Sequence, residues 1–168
     1  NEELGVNHVQ LLPIYDFVTV DEDHGKLFDD DNYNWGYDHE LYFAPEGSYA
    51  TDPRDPKSRV KEAKEMVKAF HDRGIGVIMD VVFNHTFKTI DSNLNTLAPK
   101  YYHRTNEDYS FSNGSGCGNE LASERPFVRK LIIDSLVHWA KEYKIDGFRF
   151  DLMALIDLET IKIALEEL

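Results

Sequence analysis

One run of residues limits the fold more than any other: Ile75-Gly-Val-Ile-Met-Asp-Val-Val-Phe83, apolar except for Gly76 and Asp80. A strand that shows apolar side chains on both faces must be covered on both faces, the condition inside a parallel sheet. What precedes it reads as a helix. Asp55 suits the N-cap and Pro56 the first turn. Val60, Ala63, Val67 and Phe70 recur at helical spacing, and Gly74 falls where a left-handed residue ends a helix. The same unit then recurs. Pro126 opens a helix capped by Ser123 and running to about Tyr143, which should bury Phe127, Val128, Leu131, Ile132, Leu136 and Trp139. A strand follows over Ile145–Leu152, and a last helix begins near Asp157. Upstream, Val6–Pro13 reads as a buried strand ending at a proline.

Two long polar stretches follow strands, not helices. The one from Asp16 to Asp55 carries Phe17, Phe28, Tyr33, Trp35, Tyr37, Tyr42, Phe43 and Tyr49, too many aromatics for a disordered segment. The other, from Asn84 to Ala122, holds Gly114, Gly116 and Gly118, read as positions needing positive φ. These glycines lack the Lys-Ser/Thr of a phosphate loop. Strands alternating with helices imply an α/β fold with parallel strands and right-handed crossovers. Decorated loops after the strands are the habit of a (β/α)8 TIM barrel. Three strands cannot close a barrel, so residues 1–168 read as part of one larger domain, roughly strands two to four.

Composition removes several classes. The formal net charge of -13 would repel a nucleic-acid backbone, and no apolar run approaches the roughly 20 residues of a membrane span. One cysteine, Cys117, excludes an internal disulfide framework; it suits a cytoplasmic protein and leaves a secreted bacterial one open. With no assigned base beside it, Cys117 reads as a bystander. The start, Asn1-Glu2-Glu3, has no signal-peptide character and resembles the middle of a longer chain. Oligomeric state is not legible.

Alternation on the last strand places Ile145, Gly147, Arg149 and Asp151 on one face. Buried charges are costly unless paired or used. An arginine beside Asp151 would keep the carboxylate ionised, and an ionised, positioned Asp at a strand's C-terminal end is what a covalent glycosyl nucleophile has to be. A purely structural Arg–Asp pair explains the pattern equally well. On the central strand, Asp80 interrupts the apolar run and His85 stands where the strand opens into its loop. A histidine there can hydrogen-bond a sugar hydroxyl or be an ordinary surface residue. Asp80, Asn84 and His85 match no metal-ligand spacing. In Tyr33-Asn-Trp-Gly-Tyr-Asp38, aromatic faces suited to pyranose rings adjoin polar groups suited to hydroxyls. An ordinary loop core would look the same.

Taken together, these segments resemble the α-amylase superfamily of glycoside hydrolases. Asp80-Val-Val-Phe-Asn-His85 and Gly147-Phe-Arg-Phe-Asp151 are similar to its first two signature regions. Tyr33-Asn-Trp-Gly-Tyr-Asp38, Pro45-Glu-Gly-Ser-Tyr-Ala-Thr-Asp52 and Gly116-Cys-Gly-Asn-Glu-Leu-Ala-Ser-Glu-Arg125 resemble the type I pullulanases within it. The resemblance implies a retaining hydrolase of α-1,6-glucosidic links in pullulan, amylopectin or glycogen. Asp151 would be its nucleophile, oriented and kept charged by Arg149. Tyr37 would stack on the attacked sugar and His85 would hydrogen-bond it. Asp80 would support the floor, Asn84 would fix the loop, and Trp35 would shape the branch subsites. The partner implied is an α-glucan. No cofactor is implied, and calcium has no assignable ligands. His39 stands where many relatives would carry proline, which bears on the loop's course. The family's general acid is a Glu on the fifth strand, and Glu159, Glu166 and Glu167 fall on the last helix instead. The isolated 168 residues are therefore expected to be inactive and, with unpaired edges, to fold poorly. An α-1,4-acting amylase would share Asp80, His85, Arg149 and Asp151, and a non-catalytic glucan-binding homologue would keep the aromatic loop.

Overall fold

The computed structural model describes residues 4–23, 25–26 and 29–168, so the readings of Asn1-Glu2-Glu3 and of Phe28 lie outside the described residues. In chain order the elements are β1 (His8–Leu11), β2 (Tyr15–Phe17), β3 (His39–Pro45), α1 (Pro56–His71), β4 (Gly76–Val81), α2 (Asn93–Leu97), α3 (Pro126–Glu142), β5 (Gly147–Phe150) and α4 (Leu158–Glu167). β1, β4 and β5 form one parallel sheet in that order, with α1 and α3 as the crossovers between neighbours. This is the serial βαβ arrangement of consecutive barrel units.

Local chemistry explains most boundaries. Asp55 caps α1 by accepting from the Lys57 amide at 3.0 Å, and Gly74 adopts φ +69° after the last turn. One face of β4 is fully covered, since Val77, Met79 and Val81 have no exposed surface; on the other, Ile78 is half-buried and Asp80 is buried. α3 lays Val128, Ile132, Leu136 and Trp139 into the core shared with β4. Asp157 caps α4 through the Thr160 amide.

Four expectations need correction. β1 is exposed or half-buried along its described length, not buried, and pairs with β4 alone in the sheet formed by the described residues. Ser123 does not cap α3; the N-cap is Arg125, and the Ser123 hydroxyl accepts from the Asp157 amide at 2.9 Å, tying the start of α3 to that of α4. Phe127 is exposed rather than buried. Of the three loop glycines, only Gly116 and Gly118 have positive φ.

The stretch from 16 to 55 also contains more order than a loop: β2 and β3 pair antiparallel, with register shifts on both sides of Asp16. This small sheet is bolted to the barrel layer. The Tyr42 carbonyl on β3 accepts from Trp139 Nε1 at 2.9 Å and Ser135 Oγ at 2.8 Å, both on α3. The Tyr15 hydroxyl on β2 accepts from the Val82 amide, just beyond β4. Beneath it Asp16, Glu22 and Glu46 bring carboxylate oxygens within 4.8 Å of one another. Arg59 supplies the balancing charge, 3.3 Å from Asp16 and 2.7 Å from Glu22, while Glu46 accepts the Phe17 and Ser48 amides. The cluster is a structural joint.

Candidate active site

The register of the parallel sheet builds the site. Asp80 on β4 is the cross-strand partner of Arg149 on β5, so the two side chains meet without searching. Asp80 is 1% exposed. A carboxylate that deep requires a partner, and it has two: Arg149 Nη1, at 3.0 and 2.8 Å from its oxygens, and the Tyr37 hydroxyl at 2.8 Å. The same Nη1 reaches Asp151 Oδ1 at 2.9 Å. Asn84 Nδ2 donates to Asp151 Oδ2 and to the Asp151 carbonyl, each at 3.0 Å. Both oxygens of Asp151 are thus held from opposite sides, and its rotation is fixed.

The backbone serves the same end. The Asp151 amide extends the ladder by donating to the Val81 carbonyl at 2.9 Å. Leu152 then turns into the left-handed region, φ 43°, at a cost of roughly 1 kcal/mol for a side chain of this kind. A strained residue directly after a positioned carboxylate ends the strand there and leaves Asp151 at its C-terminal lip.

Charges follow the contacts. The guanidinium of Arg149 is held protonated more firmly than usual, first by its hydrogen bond to Asp80. Burial, then the bond to Asp80, raises the Tyr37 phenol to about 12, so it remains a donor. Burial lowers the His85 imidazole, outweighing the pull of Asp151, and the ring is neutral near pH 7. A neutral His85 can donate and accept, as binding to a hydroxyl requires.

The structure therefore brings Asp80, Arg149, Asp151, Asn84, Tyr37 and His85 into one constellation. Trp35 does not touch Asp151; it is exposed and lines an adjoining hollow of about 370 Å³ with Tyr37, Asp38, His85, Phe87 and Cys117. Phe87 was not singled out from sequence, and Cys117, set aside as a bystander, stands in the wall of that hollow. Asn119 was also missed. Fully buried, it accepts from the Thr86 amide at 2.9 Å and donates to the Thr86 carbonyl at 2.8 Å, clamping the peptide next to His85. The buried His103 meets the Thr86 hydroxyl at 2.7 Å. The Gly116–Arg125 motif carries Asn119, but nothing local in it reveals a contact 33 residues away.

His39, the departure from proline, begins β3 as a buried ring. It lies edge-on to His85 with centroids 5.4 Å apart and meets the Tyr42 hydroxyl at 2.9 Å. Burial lowers it to about 3 and lowers His103 to about 4. Unfolded imidazoles titrate near 6.5, so from about pH 6.5 down to 4 the unfolded chain binds more protons than the folded one. Stability present above that window is lost as pH falls through it. Asp16, raised to about 6 chiefly by burial and then by Glu46, works in the opposite sense below pH 6. With three histidines lowered by burial, His39, His85 and His103, against one raised carboxyl, the urea midpoint is expected to fall on acidification from about pH 7 to 4.5. His39→Gln should flatten that dependence; equal slopes in both proteins would show that His39 is not a source of it.

Residues 2–115 match the family described as "Alpha amylase, catalytic domain". A pullulanase of Bacillus subtilis (strain 168) is 49% identical over 160 residues, covering 95% of this chain and 22% of that protein. The structure superposes on a Paenibacillus barengoltzii pullulanase complexed with maltohexaose and α-cyclodextrin with a TM-score of 0.93 at 51% identity, over 99% of this chain and 26% of that one. It superposes equally, TM-score 0.93 at 48% identity, on a type I pullulanase of Bacillus subtilis complexed with maltose, over 99% of this chain and 23% of that one. The chain thus spans about a quarter of the length of the relatives it matches. The architecture is a partial (β/α)8 barrel, and the chain belongs to the α-amylase catalytic-domain family.

Proposed function

We propose that residues 1–168 form part of the catalytic barrel of a retaining α-glucan debranching hydrolase, with Asp151 as its nucleophile. One observation carries this reading: a single Arg149 nitrogen bonds both Asp80 and Asp151 at the C-terminal end of adjacent parallel strands, while Asn84 holds the other Asp151 oxygen. A carboxylate fixed and charged in this way suits attack on an anomeric carbon. In the first step an Asp151 oxygen forms the bond to that carbon as the glycosidic C–O bond breaks and the departing oxygen takes a proton from a general acid. Water, losing its proton to the conjugate base of that acid, then attacks the anomeric carbon with a second inversion, breaking the bond to Asp151 and restoring the starting configuration.

Asp80 is unsuited to be that acid, because its oxygens are committed to Arg149 and Tyr37. Glu159, Glu166 and Glu167 lie on α4, away from the constellation's strands. The acid belongs to a part of the barrel beyond these residues, and the 168 residues alone should not hydrolyse glucans. Tyr37 and His85 line the sugar under attack, and Trp35 contributes to the adjoining subsite. The pullulanase relatives and the Tyr33–Asp38 motif favour α-1,6 links in pullulan, amylopectin or glycogen as the bonds cut.

The test is release of reducing ends by the full-length protein from pullulan and from linear amylose under the same conditions. Cleavage of pullulan with amylose left intact is the expected result. Cleavage of amylose alone would move the protein among α-1,4-acting amylases, and binding without cleavage of either would make it a glucan-binding homologue.

A further inference from the structure

The hollow that adjoins the candidate catalytic constellation, between Trp35, Tyr37 and His85, has a neighbour. A second depression of about 460 Å³, within the size range of ligand sites, is lined by Phe17, Asp29, Asp30, Tyr33, Asn34 and Tyr49, among others. Asn34 lines both hollows, with Trp35 in the wall of the first and Tyr33 in the wall of the second.

The chemistry of the second hollow is divided in a telling way. The amides around it are spent on the protein itself. Asn32 accepts from the Asp21 amide and donates to the Asp21 and Lys26 carbonyls. Asn34 donates to Asp38 and accepts from the Gly36 amide. They make a stiff frame. Asp29 and Asp30, by contrast, are exposed and make no side-chain hydrogen bond to the described residues. Tyr33 is 74% exposed and Tyr49 61%, and Tyr49 is braced edge-on by the buried Phe17 with centroids 6.1 Å apart. Two exposed tyrosines around one depression present an apolar face with polar tips that a ligand can cover. A ligand that fits must offer apolar faces to tyrosines and hydroxyl donors to carboxylates while carrying no negative charge. A glucosyl unit does all three.

We infer that the Tyr33–Tyr49 hollow is an accessory glucan subsite, which holds a stretch of the α-glucan chain beyond the units bound beside Asp151 and in the Trp35–His85 hollow. This rests on the debranching reading above. Its role is affinity for long substrates, because Tyr33 and Tyr49 touch none of Asp80, Arg149 or Asp151.

The test uses the full-length protein with Tyr33→Ala, Tyr49→Ala and the double variant, and Tyr33→Phe and Tyr49→Phe as controls that keep the ring. Each protein is assayed on pullulan and on a short maltooligosaccharide with a single α-1,6 link. Expected is a rise in KM on pullulan of about threefold to tenfold per alanine, with kcat unchanged, no change on the short substrate, and wild-type behaviour in the phenylalanine variants. Unchanged KM on pullulan, or equal losses on both substrates, would overturn the inference. Wild-type protein that cleaves no α-1,6 link defeats the debranching reading instead. In that case maltohexaose binding decides: retention by wild type and loss in the double alanine variant support the subsite, and no loss in the variant, or no retention by wild type, overturns it.

Discussion

Asp151→Asn in the full-length protein is expected to lower kcat on a branched α-glucan by on the order of 10⁴-fold or more, with KM changed little. The substitution is nearly isosteric and keeps the geometry. An asparagine oxygen can still accept from Arg149, 2.9 Å away in the native site, or from Asn84 at 3.0 Å. What disappears is the negative charge and the ability to form a glycosyl ester. Arg149 keeps Asp80 as a partner at 2.8 Å, so no buried charge is orphaned, and the unfolding midpoint should move little. The measurement pairs initial rates with a urea curve on the same preparation. A loss under tenfold in a protein of normal stability would remove Asp151 from the nucleophile's role. A loss accompanied by a collapsed midpoint would show instead that the Arg149–Asp151 contact is structural.

That pair was legible in sequence for a definite reason. Strand alternation is strictly local, so Arg149 and Asp151 on one face follow from spacing alone, and the apolar run around Asp80 announced a strand of a parallel sheet, of which one face is fully buried and the other partly so. The register that sets Asp80 opposite Arg149 was not legible, because nothing in either strand states which residue of the other it will meet. The same limit hid β2 and β3. β2 is three residues long, its pairing is broken by register shifts at Asp16, and its support comes from Tyr42 and Tyr15 contacts made far along the chain. Helix periodicity misplaced Phe127: it stands on the first turn of α3 beside the buried Val128 but off the face that Val128, Ile132, Leu136 and Trp139 share, and it is left exposed. Ser123 had the right chemistry for a cap and was claimed by the neighbouring α4. His85 stood out by its position, while Asn119, which holds the Thr86 peptide beside it, and His103, which meets the Thr86 hydroxyl, carry signals only visible once the loop has closed.

Trp139→Ala should destabilise the fold by about 3–5 kcal/mol, the largest stability effect expected of any single truncation in the described core. The side chain has no exposed surface and is the bulkiest of the fully buried ones. Its ring packs on Tyr143 with centroids 4.4 Å apart and its Nε1–H donates to the Tyr42 carbonyl at 2.9 Å. Removing it empties a volume that neighbours on α3 and β3 cannot both close. The polar cost is smaller, because the Tyr42 carbonyl still accepts from Ser135 Oγ at 2.8 Å; Trp139→Phe, which keeps most of the ring, should therefore cost less than Trp139→Ala, the lost hydrogen bond contributing about 1 kcal/mol. Phe127→Ala on the same helix supplies the contrast: an exposed aromatic should change stability by no more than about 0.5 kcal/mol. Urea midpoints and slopes for the three variants check this, and equal losses for Trp139 and Phe127 would contradict the burial on which it rests. The consequence reaches the site through contacts, not through distance alone. Tyr42 stacks on Phe83 at 5.4 Å and meets His39, and His39 lies against His85. Loosening Trp139 frees the small antiparallel sheet that carries Tyr37 and His39, so the residual folded Trp139→Ala protein should bind glucan more weakly, while Phe127→Ala should bind it as wild type does.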